Sequence, residues 1–168
     1  MTILETERLT LSEQTEADAP FVLELMNTQG WLRYIGDRNV RTVEDARNYI
    51  RNGAMKSYRQ SGFGFYLVSL KEGNIPVGIS GLVKRDALAH PDIGFALMPQ
   101  DEGKGYGFES ALAVMKYARE SLGLDTIVAI TTKDNASSVK LLNKIGLAFK
   151  AFIQMGDEEL MLFETAQH

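Results

Sequence analysis

Apolar residues follow two different spacings along the first hundred residues. Leu9 and Leu11 alternate with polar neighbours, which predicts a strand within residues 3–15. Helical spacing then recurs twice, each time after a threonine suited to begin a helix, Thr15 and Thr42. The next predicted elements are a hairpin joined by the turn KEGN and a third strand, at 64–70, 75–85 and 92–99.

The second half of the chain alternates turns with apolar segments. The glycine-rich stretch DEGKGYG at 101–107 precedes a helix predicted at 108–123, whose inward side is Phe108, Leu112, Met115, Ala118 and Leu122. A buried strand, a second helix and two closing strands follow at 125–132, 135–146, 147–155 and 159–165. Without a repeat or a linker, the order β-α-α-β-β-β-α-β-α-β-β predicts a single α/β domain over residues 1–168, with two or three layers around a mixed sheet.

Composition narrows the classes of function. The formal net charge of −4 argues against general binding of nucleic acid, because neutralising phosphates needs a basic surface. The chain has no cysteine, which excludes disulfides and thiolate metal sites, and we expect no metal. It has neither a signal-peptide pattern at its start nor the run of about 18 apolar residues that a membrane-spanning helix needs. We therefore expect a cytoplasmic protein that does not bind membranes.

The glycine-rich stretch lies between a predicted strand and a predicted helix. Glycines at 103, 105 and 107 would let a ligand approach the unsatisfied N–H groups of the helix start, where an anion is favoured. The alternative is a flexible connection whose Lys104 is solvated. The stretch is neither a Walker loop nor the G-x-G-x-x-G dinucleotide fingerprint, since it lacks both spacings.

A second strand-to-helix junction follows about thirty residues later. Here Asn135 precedes a helix and Ser138 shares a side with Leu141, Leu142 and Ile145. If the two strands end side by side, Asn135 and Ser138 lie near the glycine loop, and an asparagine offers both a donor and an acceptor to a ligand with amide groups. The alternatives are a capping asparagine and a small packing serine.

The two junctions together resemble the GNAT superfamily of N-acetyltransferases. The resemblance rests on IGFALMPQDEGKGYGFESALAVMKYA and TTKDNASSVKLLNKIGLAF, and ETERLTLSEQTEADA extends it to nearly the whole chain. Within the superfamily, the chain is most similar to the branch of ribosomal-protein alanine N-acetyltransferases. The resemblance implies a mixed, mostly antiparallel sheet of about seven strands with about four helices packed on it.

The same resemblance implies acetyl-CoA as cosubstrate. Its pyrophosphate would bind the N–H groups from Gly103 to Phe108, including those of Lys104, Gly105, Tyr106 and Gly107. Leu97 would also bind acetyl-CoA, and Asn135 would contact the pantetheine arm. The family loop pattern Q/R-x-x-G-x-G/A falls on Glu102, Gly105 and Gly107. Glu102 departs from it, because an acid near the pyrophosphate repels it unless the side chain turns to solvent.

Direct acetyl transfer to an amine needs a base for the amine and an acid for the departing thiolate. The position of the tyrosine that serves as the acid in many relatives is Leu142 here, and in the ribosomal branch a serine that matches Ser138 takes this part. Asp92 is the candidate base, acting through water, because it shares a strand face with the small residues Gly94 and Ala96. The alternative for Asp92 is an acid in solvent.

Trp31 and Tyr34 lie in the irregular segment 30–41, which lines the acceptor site in the family. They would stack on the amine or peptide acceptor, unless Trp31 fills the core instead. The chain would act as a monomer or a homodimer. Two other functions stay open: an acyl-CoA-binding sensor or scaffold without turnover, and an unrelated nucleotide-binding α/β domain.

Overall fold

A computed structural model describes residues 1–165, and within them eight strands form one sheet with helices on both faces. The strands are β1 (Thr2–Glu5), β2 (Leu9–Glu13), β3 (Phe65–Leu70), β4 (Ile75–Val83), β5 (Asp92–Leu97), β6 (Val128–Thr131), β7 (Leu147–Met155) and β8 (Glu158–Thr165). The helices are α1 (Ala19–Met26), α2 (Val43–Ile50), α3 (Lys56–Ser61), α4 (Tyr106–Glu120) and α5 (Ala136–Lys144).

The strands run in the order β1-β2-β3-β4-β5-β6-β8-β7 across the sheet. Every neighbouring pair is antiparallel except β5 and β6, which are parallel. A parallel pair needs a long crossover connection, and α4 supplies it. The predicted mixed, mostly antiparallel α/β fold is confirmed.

The structure divides two of the predicted elements. The single strand predicted within residues 3–15 is two strands, because the chain turns at residues 6–8, where Thr6 N donates to Leu9 O at 2.9 Å. The single helix predicted after Thr42 is α2 and α3, joined by a wider helical turn at Arg51–Met55.

The segment that was predicted to be irregular between α1 and α2 contains one helical turn, Trp31–Ile35. Gly36, at φ +118°, ends it. Its first side chain, Trp31, is buried among residues of α1 and α2. The turn therefore belongs to the folded body.

The prediction for the helix after the glycine loop was wrong in two respects. The helix begins at Tyr106 rather than at residue 108, and Leu112 is 45% exposed. The side of α4 that faces the sheet is built from smaller residues, namely Gly107, Ser110, Ala111, Val114, Met115 and Ala118. Small side chains let the helix lie close to the strands, whereas a helix turned to bury Leu112 would expose this close-fitting side.

Two apolar clusters lie on opposite faces of the sheet, which makes three layers. One joins α4 and α5 to strand residues that include Ile93, and the other joins α1 and α2 to Ile79 and Met98. Alternate residues of β5 supply the two clusters, as the period of a strand requires. Within residues 1–165, no helix is long and apolar enough to cross a membrane.

Candidate active site

A cleft opens between β5 and β6. The two strands pair only at their first residues, Asp92 and Val128. Beyond this pair the gap widens into a cavity of ≈ 1860 Å³, which both strands and the beginnings of α4 and α5 line. A typical pocket for one small ligand has a volume of roughly 300–1,000 Å³. The cleft therefore has room for two reactants.

The edge of β5 that faces the gap carries main-chain donors and acceptors. Met98 N donates to Val77 O at 2.8 Å on the β4 side. Because backbone groups alternate between the two edges of an antiparallel strand, the N–H and C=O groups of Phe95 and Leu97 point to the opposite edge, toward the gap. Since β6 pairs with β5 only at Asp92, these groups are open to a ligand.

The beginning of α4 presents a row of free N–H groups. The first main-chain bond into the helix runs from Glu109 N to Gly105 O at 3.0 Å. Within the described residues, the N–H groups of residues 103–108 donate to no main-chain oxygen. Gly105 has φ +86°, a left-handed conformation that glycine adopts without strain. Successive donors at the positive end of a 15-residue helix form a site for an anion.

Gly107 sets how closely α5 can approach this row. A Cβ atom at this position would lie 3.2 Å from Leu141 Cδ1 on α5 and 3.6 Å from Leu97 Cδ1 on β5. A side chain would therefore displace Leu141 from its contact with α4, because the packed interior has little slack. The glycine keeps the two helix beginnings on either side of one narrow cleft.

Asn135 and Ser138 lie at the beginning of α5 and line the same cavity as the three loop glycines. Asn135 Oδ1 accepts a hydrogen bond from Ser138 N at 3.3 Å and so caps the helix. With the oxygen used, the two Nδ2 hydrogens remain available to a ligand carbonyl. Ser138 is half-buried, whereas Leu142 is buried in the core.

The side chains of the loop lie in different surroundings. Lys104 is exposed, and Tyr106 lies under the guanidinium of Arg8, 4.7 Å from its ring centre. Phe108 lies under the ammonium of Lys144, also at 4.7 Å. Glu102 is exposed and lines the cavity beside Gly103.

Asp92 lies at the closed end of the cleft. It is only 3% exposed, so the interpretation of Asp92 as an acid in solvent is wrong. Its Oδ2 accepts a hydrogen bond from Arg85 Nε at 3.1 Å, and Oδ1 has no hydrogen-bond partner in the described chain. Burial raises the pKa of Asp92 above its usual value, although the Arg85 guanidinium opposes this shift. Five residues of strand, about 17 Å, separate it from Leu97.

Trp31 and Tyr34 border the cavity from the turn between α1 and α2. The Trp31 side chain is buried in the α1–α2 core, and its Nε1 has no hydrogen-bond partner among the described residues. Tyr34 is half-buried, and the guanidinium of Arg33 lies over its ring at 4.9 Å. Arg33 also binds Asp134 at 3.2 Å, which connects this turn to the loop before α5. Trp31 therefore belongs both to the core and to the cavity wall.

Acidic side chains outnumber basic ones around the cavity. The basic residues of the lining are Arg38 and Arg85, and the acidic ones are Asp45, Asp92, Glu102, Asp134, Asp157 and Glu158. Low-dielectric walls of one sign focus the electrostatic field and attract ligands of the opposite charge. Within residues 1–165, no group of three or more acidic or histidine side chains is arranged to hold a metal ion.

Two contacts at the site were missed from the sequence. Arg85 binds Asp92 from the chain just after β4, and Arg8 binds Glu109 of α4 at 2.7 Å. Arg85 lies only seven positions before Asp92, so this pair of opposite charges could have been predicted from the sequence. No sequence spacing connects Arg8 with Glu109.

Known proteins share this arrangement. Residues 8–148 match the sequence profile of the family described as Acetyltransferase (GNAT) domain. The chain is also 30% identical over 146 residues to the uncharacterised N-acetyltransferase YoaA of Bacillus subtilis, which spans 86% of this chain and 81% of that protein. The chain belongs to the GNAT acetyltransferase family. The prediction of an acetyltransferase enzyme is confirmed.

Solved structures of the family have the same fold. A GNAT acetyltransferase from Bacillus anthracis is 27% identical, with a TM-score of 0.79 over 98% of this chain and 97% of that one. An acetyltransferase from Agrobacterium tumefaciens is 24% identical, with a TM-score of 0.84 over 99% and 95%. The ribosomal L7/L12 alpha-N-protein acetyltransferase RimL, solved with coenzyme A, is 18% identical, with a TM-score of 0.79 over 98% and 97%.

The raised pKa of Asp92 predicts how its replacement changes stability with pH. The folded state binds the Asp92 proton more tightly than the unfolded state, so ionisation of Asp92 destabilises the fold as pH rises above the unfolded pKa of about 3.9. We expect the free energy of unfolding of Asp92→Asn, relative to wild type, to increase with pH from about 4 upward. Urea denaturation at several pH values measures this difference.

Asp86→Asn is the matched control, because it removes the same charge from an exposed position of the neighbouring loop. A difference between Asp92→Asn and wild type that does not change with pH, or that decreases as pH rises, would contradict the assignment.

Proposed function

We propose that this acetyltransferase transfers the acetyl group of acetyl-CoA directly to a primary amine, either the N-terminus of a protein or a small cationic amine. The observation that carries the proposal is the row of free N–H groups at residues 103–108, beside the open edge of β5 and in the same cavity as Asn135. An anion at the beginning of α4 and an extended amide-bearing arm along β5 are the two parts that coenzyme A would bring.

The pyrophosphate would bind the N–H groups of the loop, and the exposed Lys104 ammonium would add a positive charge. The pantetheine arm would lie along β5 like an added strand, bonded to the backbone of Leu97 and to Asn135 Nδ2. RimL, which shares the fold, has been solved in complex with coenzyme A.

The chemistry begins when the neutral amine attacks the thioester carbonyl carbon. The N–H of Leu97 on the open edge of β5 is placed to donate to the oxygen that becomes negative. The carbon–sulfur bond then breaks, an amide forms, and the thiolate takes a proton from the hydroxyl of Ser138, which takes a proton in turn from water in the cleft. Ser138 lies in the first turn of α5, where the helix dipole stabilises negative charge.

Asp92 would accept the proton that the amine loses. Its raised pKa makes it a stronger base than an ordinary aspartate, and Oδ1 is free to accept. Because about 17 Å of strand separates it from Leu97, the proton would pass through water molecules along the cleft.

The charge of the cavity supports a cationic acceptor. Six acids and two arginines line the cavity, and the half-buried Tyr34 offers part of its ring to a cation or a peptide, whereas Trp31 is buried in the core. Protein N-termini and polyamines both meet this description. A neutral or acidic amine would gain nothing from the lining charges.

An acceptor screen at saturating acetyl-CoA tests the proposed function. Release of the CoA thiol is measured with peptides that begin with Ala or Ser, with polyamines, with amino acids and with aminoglycosides. We expect turnover with a cationic amine, and a KM for that amine that rises with salt because its attraction to the acids is screened. Tight binding of CoA without turnover on any acceptor would contradict the proposal and favour a binding module.

With the acceptor identified, Ser138→Ala tests the proton donor. We expect kcat to fall about 100-fold with little change in the KM for acetyl-CoA, because the serine acts on the leaving group. Ser121→Ala, beyond the end of α4 and outside the cavity, is the control. Full activity of Ser138→Ala would remove Ser138 from the mechanism and leave the acetyl transfer itself in place.

Glu102→Gln tests whether the acid at the loop faces the ligand. Removing one negative charge beside the pyrophosphate should tighten CoA binding roughly two- to threefold at low salt and less at high salt. Calorimetric titration with CoA measures the change, and Glu72→Gln, in the turn between β3 and β4, controls for net charge. Equal affinities of wild type and Glu102→Gln would show that the carboxylate turns away from the phosphates.

A further inference from the structure

The turn between β1 and β2 is bound to the beginning of α4 through one side chain, Arg8. Arg8 Nε donates to Glu109 Oε1 at 2.7 Å, and its NH1 donates to the main-chain oxygen of Lys104 at 2.9 Å. The guanidinium also covers the ring of Tyr106 at 4.7 Å. Arg8 therefore contacts the loop on both sides of Gly105, as well as the first turn of the helix.

Glu109 also binds the turn between β1 and β2 through its second carboxylate oxygen. Its Oε2 accepts from the main-chain N–H of Arg8 at 3.0 Å and from the hydroxyl of Thr6. Burial alone would raise the pKa of Glu109, but the hydrogen bonds from Thr6 and Arg8 outweigh it and hold this pKa below its usual value. Glu109 is therefore ionised at neutral pH.

The bond to Lys104 has a consequence for the next residue. In a trans peptide the C=O of one residue and the N–H of the following residue point in opposite directions. With the Lys104 oxygen held by Arg8, the Gly105 N–H is directed away from Arg8 and is one of the free donors of residues 103–108. A Cβ on Gly105 would lie 3.1 Å from Arg8 NH2, so the loop and the guanidinium fit closely.

Arg8 also affects the charge at the beginning of α4. Glu109 lies in the first turn of α4, where a carboxylate would compete with an anionic ligand for the positive end of the helix. Arg8 neutralises that carboxylate. Without Arg8, the free N–H groups would lose their orientation and would face an uncompensated negative charge.

We propose that Arg8 is a positioning residue, which holds the N–H groups of residues 103–108 in the conformation that binds the CoA pyrophosphate. The inference rests on the proposed function in so far as the loop binds CoA. Arg8 itself lies behind the loop and reaches the ligand only through Lys104, Tyr106 and Glu109.

The affinities of wild type and Arg8→Gln for two ligands distinguish a positioning role of Arg8 from a general effect on the stability of the fold. The probes are CoA and pantetheine, which lacks the pyrophosphate and the nucleotide, and both are titrated calorimetrically. We expect Arg8→Gln to weaken CoA binding about tenfold and to leave pantetheine binding unchanged, because only CoA uses the loop. Arg8→Lys keeps the charge but not the forked donor geometry, so it should restore only part of the CoA affinity.

The control is Arg51→Gln, which removes an arginine about as exposed as Arg8 from a surface pair, Arg51 with Glu16 at 2.6 Å, outside the cavity. It should not change either affinity. If Arg8→Gln does not fold, the same titrations are made with Arg8→Lys. A loss of CoA affinity with unchanged pantetheine affinity would then support the inference.

Three outcomes would overturn the inference. Equal CoA affinity in wild type and the Arg8 variants would remove Arg8 from the site while leaving the proposed function intact. A parallel loss of CoA and pantetheine affinity would make the contact purely structural. Failure of wild type to bind CoA at all would reject the proposed function, and the inference with it.

Discussion

The site depends on one feature of the sheet, the separation of β5 from β6 after a single paired position. Parallel strands normally continue their ladder, and an unpaired backbone edge inside a protein is costly unless a ligand or water satisfies it. Here Asp92 and Val128 form the only pair, and the gap beyond it becomes the cavity. The separation both exposes the backbone of Leu97 and places the beginnings of α4 and α5 on either side of the same opening.

Charge is arranged along this cleft in two parts. The glycine loop offers main-chain donors at a helix beginning, a positive environment that needs no basic side chain. Among the charged residues of the remaining lining, carboxylates predominate, including Asp92 at the closed end. In the proposed function, this arrangement lets a protein with a net charge of −4 bind an anionic cosubstrate and a cationic acceptor side by side. Glu102 is the exception, because it places a carboxylate beside the anion site.

Local patterns were sufficient for most of the fold. Strand alternation, helix caps and glycine stops predicted nearly every element, because each depends on residues close in sequence. The side of α4 that packs on the sheet was predicted wrongly, since Leu112 is exposed while Gly107 and Ser110 are buried. Helical spacing alone favours large apolar residues, whereas the distance between this helix and the sheet selects small ones.

The candidate site was predictable where it is built from main-chain groups. Three glycines between a strand and a helix, with an asparagine at the next junction, predicted two helix beginnings close together, and both line one cavity. The contacts that depend on tertiary approach were not predictable: Arg8 and Glu109 are 101 positions apart, and the burial of Asp92 follows from its place at the narrow end of the cleft.

The most direct test of the central claim is an NMR titration of the ¹⁵N-labelled protein with CoA, which observes the main-chain N–H groups themselves. If the row at residues 103–108 binds the pyrophosphate, its amide resonances should shift most, and those of Leu97 and the Asn135 side chain should shift with them. CoA binding that leaves the amides of residues 103–108 unshifted would contradict the account.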